Sequence, residues 1–415
     1  MIKAQLAGNV AQRVARESYG KLIAILAKRT RDVASAEDYL AEAFAAALEK
    51  WPKSEIPDNP EAWLIAVAKR KHLDGLRQFQ NKVDSALHFQ MLSEEIEQMA
   101  SQQKTIEDDR LALMFACAHP AIDVEIRTPL ILQTVLGMTA EQIAAAFLVA
   151  PATMGQRLAR AKAKIKLAGI PFRVPDADEL SERLAAVLDA IYAMFNQGWT
   201  NHGEQENNLV EDALWFSFLV VELQPAQPEA LGLCALILFL QSRFHARRNV
   251  AGAFIPLAAQ DVALWDDDKI SKAEKLLRSA SAMNKIGRFQ LEAAIQSVHA
   301  ARRKTFSTDW HAVNQLYAAL FRVTDSPVVK LNWAYAIGED EGWRAGLAAL
   351  PQLDEFPELA SYQPYFVVRA ALRENCGDAV AALEDYEKAM ALEQDDSIRF
   401  FLAEKRSQLQ VKILQ

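Results

Sequence analysis

The sequence predicts an all-α fold, and three observations carry that prediction. Apolar residues recur every three or four positions over long stretches, which is the spacing of one buried helix face. Glycine and proline are sparse, 15 of each in 415 residues, and the segments between them are rich in the strong helix formers Ala, Leu, Glu, Lys and Arg. No sustained run alternates β-branched with polar residues, so the pattern that builds a half-buried sheet is missing.

A chain of this length holds two or three domains, and with 51% hydrophobic residues each can bury a core. Charge is unevenly placed. Residues 1–173 carry about 23 basic against 20 acidic side chains, roughly +3, and the remainder about 23 against 34, roughly −11, for a net −8. A basic-leaning front and an acidic rear suit a nucleic-acid reader joined to an interaction or regulatory module. Three cysteines (Cys117, Cys234, Cys376), odd in number and far apart, suit a reducing compartment without a disulfide framework. The N-terminus shows no basic-then-apolar leader. The longest apolar run, Leu231 to Leu240, is too short to span a bilayer and reads as a buried core helix. A cytoplasmic protein that engages no membrane is expected.

Residues 1–30 read as helical, with Tyr19, Leu22, Ile23 and Leu26 as the apolar stripe. Ser35 to Asp38 resembles a capping box opening a helix that runs to Trp51. Residues 52–60 form a loop. Asn59 is the expected N-cap, with Pro60 in the first turn, of a helix through Trp63 to about Phe79. On that helix Trp63, Arg70, Asp74 and Arg77 share a narrow sector flanked by Lys69 and Lys71. Aromatic rings beside arginines hold unstacked bases. Equally, Trp63 can be a core residue and the charged side chains can form ion pairs at i,i+3 and i,i+4. Residues 84–109 are acidic and polar and read as a linker.

Residues 110–173 form the next unit, ended by Gly169, Pro171 and Pro175. Within it, Thr139 and Gln142 fit a capping box, and Ile143, Ala146 and Phe147 would bury one helix face. Leu148 to Ala150 is a turn, and Pro151 suits the first position of a second helix. There Met154, Leu158, Ala161 and Ile165 share one stripe, while Thr153, Gln156, Arg160 and Lys164 oppose it with Arg157 at the edge. Two short helices, the second basic, make a helix-turn-helix suited to the major groove. The alternative is an amphipathic pair with a solvated basic face. From Arg127 to Arg173 the chain carries seven basic residues against one acid, Glu141. On an acidic protein that concentration favours phosphate contacts.

From about Leu180 the chain is helix after helix. Ala336 and Ala371, and Gly342 and Gly377, stand 35 residues apart, close to the period of tetratricopeptide repeats. Residues 180–325 align to no clean repeat. Cys117 and His119 form a tempting pair, but the other histidines are scattered and a metal site needs about four ligands. There is no phosphate-binding glycine loop, no nucleophile elbow and no His-Glu-x-x-His motif. An enzyme is not expected, nor a cofactor or metal.

Two helical DNA-reading units joined by an acidic linker resemble bacterial RNA polymerase sigma factors of the extracytoplasmic function (ECF) type. Residues Ala36 to Phe44 resemble the polymerase-binding helix of sigma domain 2, and Trp63 to Arg77 resemble the helix that handles the −10 element. The whole chain resembles the ECF group with a long C-terminal tetratricopeptide-like extension, through Phe115 to Pro120, Gln260-Asp261, Thr308 to Trp310 and Ser326 to Asn332. Gln133, Pro129, Ala150, Gly155 and Arg70 depart from the family pattern. The resemblance implies sigma domain 2 at 1–83, a linker at 84–109, sigma domain 4 at 110–173 and a helical domain at 180–415, with repeats near 326–400. It implies core polymerase contacts at Asp38, Glu42 and Phe44. It implies −35 contacts at Thr153, Gln156, Arg157, Arg160, Lys162 and Lys164, and −10 contacts at Trp63, Lys69, Arg70 and Arg77. Core RNA polymerase and promoter DNA are the implied partners, with the C-terminal domain contacting polymerase or the sigma domains and regulating them. Two rival readings are an operator-binding helix-turn-helix regulator and a tetratricopeptide scaffold whose basic half docks a protein.

Overall fold

The computed structural model describes residues 2–54, 56–78, 109–147, 149–200 and 204–414. They contain nineteen α-helices and, among the described residues, no strand beyond one bridge between Arg248 and Phe254. The fold is all-α, as the periodicity predicts. It divides into two compact units, Met1–Phe216 and Ser217–Gln415.

The first unit opens with α1 (Ile2–Glu17), α2 (Tyr19–Thr30), α3 (Val33–Lys50) and α4 (Pro60–Gln78). The helical stretch 1–30 is broken at Ser18, whose hydroxyl donates to Glu61 of α4. Leu22, Ile23 and Leu26 are buried. The cap of α3 lies three residues earlier than expected. Asp32 has the extended backbone of an N-cap (φ −150°, ψ 109°), and its carboxylate accepts from Ala34 N at 3.1 Å. Ser35 is already helical and donates its hydroxyl to Asp32. Asn59 does cap α4, accepting from Ala62 N at 3.0 Å. The expected linker, apart from Asp109, lies outside the described residues.

The unit continues with α5 (Arg110–Cys117), α6 (Val124–Leu136), α7 (Ala140–Ala146), α8 (Pro151–Leu167), α9 (Ala177–Thr200) and α10 (Glu204–Leu223). Thr139 and Gln142 form the reciprocal box, Thr139 N donating to Gln142 Oε1 (2.9 Å) and Gln142 N to Thr139 Oγ1 (3.3 Å). α2 meets the C-terminal end of α6 at Gly20, where a Cβ would collide with the Val135 carbonyl. Gly137, with φ +65°, ends α6 against the Tyr19 ring.

The first unit extends past the expected boundary at 173, to Phe216. Polar groups of α5 and α6 have partners beyond that boundary. Arg127 is buried and donates to the carbonyls of Ile122, Pro120 and Glu182 at 3.0–3.3 Å. Buried Arg183 on α9 donates to Phe115 O, and Arg110 pairs with Asp212 of α10. Gly169 and the prolines therefore end a local helix pair and not the packing.

The second unit holds α11 (Pro228–Gln241), α12 (Asp267–Ser281), α13 (Arg288–Thr305), α14 (Trp310–Thr324), α15 (Pro327–Glu341), α16 (Trp343–Ala348), α17 (Gln363–Asn375), α18 (Ala379–Leu392) and α19 (Asp396–Leu414). α11 is buried on nearly every side between α12 and α13, the core helix that its apolar run predicts. Glu229 at its start accepts from the backbone of Phe289 (2.9 Å) and Gln290 (3.2 Å), satisfying the N-terminus of α13. The two echoed glycines occupy equivalent breaks. Gly342 separates α15 from α16 and Gly377 separates α17 from α18, with φ +107° and +86°, values that glycine adopts without the steric cost of a Cβ. Asp385 is fully buried between Arg369 (2.6 Å) and Arg373 (2.8 Å). No described helix is long and apolar enough to cross a membrane.

The glycine contacts make a paired prediction. Gly20→Ala forces α2 from the Val135 backbone and should cost about 2 kcal/mol or more. Gly8→Ala, with nothing within 4 Å of its added Cβ, should stabilise by roughly 0.5–1 kcal/mol. Urea unfolding of both variants checks the signs.

Candidate nucleic-acid interface

α8 has the two faces its sequence predicts. Met154, Leu158, Ala161 and Ile165 are all buried, while Thr153, Gln156, Arg157, Arg160 and Lys164 are exposed on the other side. Pro151 takes the first helical position, and Ala150 offers no side-chain cap. Ile143 of α7 is buried, but Phe147 is 39% exposed. α7 stops at Ala146, so Phe147 has left the helix and does not complete its apolar face. Among the described residues Arg160 and Lys164 form no ion pair. Arg157 approaches Glu125 at 3.6 Å with both side chains well exposed, a pair worth little in water.

Two other basic residues of α8 pair with acids of the α3 end, one of them buried. The Lys162 side chain is only 11% exposed and its ammonium lies 2.6–2.7 Å from both oxygens of Glu37 on α3. One turn on, Lys166 meets Asp32 at 2.7 Å. Lys162, expected at phosphates, is thus committed to an ion pair inside the unit. The reason is its place beside Ala161, on the edge of the stripe where α3 packs against α8. Burial pushes the Glu37 carboxyl above its usual range, only partly opposed by Lys162. Burial acts the same way on Asp32, but hydrogen bonds from Lys166 and Ser35 outweigh it and hold that carboxyl below its usual range. Neither acid was singled out in the sequence. The available signal was their position at the edges of the Val33, Ala36 and Leu40 stripe.

The outer face of α3 carries the residues expected to meet polymerase. Asp38 and Glu42 are exposed and Phe44 is half-buried. Glu42 pairs with Lys71 of α4 at 3.0 Å. Asp38 and Phe44, with Tyr19, Gln133, Met138 and Lys162, line a cleft of about 470 Å³.

On α4 the expectation for Trp63 needs correcting. Its side chain is buried at 7% exposure, edge-to-face with Trp51 at 5.4 Å. The ring is a core residue, with no face open to a base. Lys69 and Arg70 are half-buried. Burial, then the nearby Arg29, lowers the Lys69 ammonium from its usual value. The backbone of Arg77 is helical, but its side chain and that of Asp74 lie outside the described residues, as does the question of their ion pairs. Cys117 and His119 are separately occupied. Burial pushes the Cys117 thiol up to about 12, and His119 Nδ1 accepts from Ala121 N at 3.1 Å.

Residues 14–82 match the sigma-70 region 2 family, and residues 183–281 match a family of unknown function, DUF6596. An uncharacterized protein of Rhizobium meliloti is 37% identical over 371 residues, 87% of each chain. A probable RNA polymerase sigma factor, RfaY, of Xanthomonas campestris pv. campestris is 28% identical over 163 residues, 36% of this chain and 40% of its own. No solved structure matches the chain.

The Asp32 pair gives a pH prediction. A carboxyl lowered on folding contributes stability above its unfolded value, about 4, and loses it as pH falls through the folded value. Asp32→Asn keeps the cap and removes the charge. The variant should melt below the wild type at neutral pH, with the gap closing as pH drops beneath about 4. Thermal midpoints across that range test it.

Proposed function

The chain belongs to one family with the Rhizobium meliloti protein and carries a sigma-70 region 2 in its N-terminal part, and from that premise we propose that it is a sigma factor of the ECF type. In this role it binds core RNA polymerase, directs it to promoters and is regulated by its helical C-terminal part, which we read as tetratricopeptide-like near 326–400. The observation that carries the reading is α8. An exposed basic face opposite a buried apolar stripe, preceded by α7 and a tight turn, lies in the same unit as region 2. A stand-alone operator-binding protein has no use for region 2.

Each part then has a task set by its chemistry. Gln156 and Arg160 are placed for base edges of the −35 element, since both side chains can bond a base bidentately. Thr153, Arg157 and Lys164 serve the phosphates. Lys69, Arg70 and Arg77 of α4 serve the −10 element, with Trp63 fixing the helix from inside. Asp38, Glu42 and Phe44 form the polymerase contact. Two moderate contacts on one DNA gain through effective concentration. Lys162 joins the phosphate contacts when Glu37 releases it, so the closed pairing of α3 with α8 holds the isolated protein at reduced DNA affinity.

Binding of the full chain to purified core polymerase is the primary test. The Asp38→Ala, Glu42→Ala, Phe44→Ala triple variant should lose at least about tenfold in affinity, roughly 1.4 kcal/mol. No binding by the full chain in the presence of promoter DNA refutes the reading and favours an operator-binding regulator.

DNA binding supplies a second set of outcomes, read by fluorescence anisotropy on a selected promoter. Arg160→Ala should cost about 1–3 kcal/mol and relax sequence preference. Lys164→Ala should weaken all sequences alike and reduce the salt slope by about one. Glu37→Gln should strengthen DNA binding, and an unchanged affinity refutes the closed-pair account.

A further inference from the structure

The stretch between α11 and α12 gathers a group of arginines around one tryptophan. Arg243 follows the end of α11, and Arg247 and Arg248 come after a short 3-10 turn at Phe244–Ala246. Trp265 immediately precedes the cap of α12, and the stretch is closed by Asp266 N donating to Ser242 O at 2.9 Å. α13 runs past and presents Gln296, His299 and Arg302 at three-residue steps, the spacing of one helix face. Trp265 is 3% exposed. The guanidinium carbons of Arg302 and Arg243 lie 5.1 and 5.9 Å from its ring centre.

The charges here do not balance. Arg243 is 7% exposed, and its hydrogen bond goes to a neutral acceptor, Gln296 Oε1 at 2.6 Å. Arg302 donates to the carbonyls of Leu257 (2.9 Å) and Gln260 (3.4 Å). Among the described residues no carboxylate pairs with either. Asp395 is bonded by Arg248 at 2.6 Å and also faces Arg247. Asp266, next to Trp265, is occupied by Lys269 and the backbone at the start of α12. Burial, then Arg247 and Arg302, brings the Arg243 guanidinium down to about 10. Burial, then Arg243 and Arg302, brings His299 to about 4, so the imidazole is neutral at physiological pH.

A second, independent observation points to a ligand. The indole Nε1–H of Trp265 is buried and has no partner. It can only donate, and buried donors are almost always satisfied. Three donor groups, two guanidiniums and an indole N–H, thus meet at one ring and lack an anionic acceptor.

We propose that Arg243, Arg302 and Trp265 form a binding site for a small oxyanion, a phosphate or carboxylate group. Guanidinium forks match the geometry of both. The bound group ties the loop between α11 and α12 to α13, linking the DUF6596 segment to the helices that follow it. The proposal concerns the second unit alone and stands whether or not the chain is a sigma factor.

Thermal unfolding of the full chain tests it, with inorganic phosphate and citrate each compared with sodium chloride at equal ionic strength. At least one oxyanion should raise the midpoint by several degrees, saturably, because a ligand that binds only the folded state stabilises it. Response to phosphate alone assigns a phosphoryl ligand, and response to citrate alone a carboxylate. Arg302→Gln, at a half-buried residue bonded to carbonyls, and Trp265→Phe, which keeps an aromatic face and removes the N–H, should abolish the response. Arg344→Gln, at an exposed position, should keep it. If neither oxyanion exceeds the chloride control, or if the response survives in both site variants, the proposal is overturned. Circular dichroism verifies that the variants are folded, and titration calorimetry on the same proteins gives the affinity directly.

Discussion

The half-buried pair Lys162–Glu37 is the constraint on which the first unit turns. Removing two charges from water is costly unless each satisfies the other, so the pair fixes how α8 lies against α3. Two contacts of a different kind hold the neighbouring junction of α2 with α6. Gly20 allows α2 to reach the Val135 backbone, and Gly137 allows α6 to end against Tyr19. With α3 and α8 fixed, the exposed half of α8 can present Gln156, Arg160 and Lys164 outward while Lys162 faces inward. One helix thereby carries both an exposed basic face, the proposed DNA-reading surface, and a packing surface.

Much of this was legible from spacing alone. The Met154, Leu158, Ala161 and Ile165 stripe, the Thr139–Gln142 box, the Asn59 cap and the buried run in α11 are all encoded in residues within a few positions of each other. What escaped was set by distant neighbours. Trp63 could be core or surface by its position on α4, and only the arrival of Trp51 decides the matter. Ser35 fits a capping pattern, but Asp32 has the better acceptor and an extended backbone. Lys162 looks free on a helical wheel, and Glu37, 125 residues earlier in the chain, is invisible to any local pattern.

The boundary between units shows the same limit. Gly169, Pro171 and Pro175 are sound stop signals for a helix, and they were read as the end of a domain. Yet Arg110 pairs with Asp212, and Arg127 takes one of its three acceptors, the Glu182 carbonyl, beyond residue 180. Chain punctuation records where a helix stops, whereas a compact unit ends where its polar groups no longer need partners further along the chain. In the second unit the echo of Gly342 and Gly377 was readable because the same backbone break recurs. The Arg243 and Trp265 cluster was not, since α13 supplies half of it.

The bridge between Glu42 and Lys71 carries one more implication. It joins the helix proposed to meet polymerase to the helix proposed to meet melted DNA, and both ends are solvent-exposed, so it is cheap to break. A polymerase surface that claims Glu42 leaves Lys71 without its counter-charge, next to Lys69 and Arg70. The cationic strength of α4 then rises by one charge at the moment of assembly. The protein would favour single-stranded DNA more strongly in the holoenzyme than alone, with no change in backbone shape and no moving part larger than a side chain.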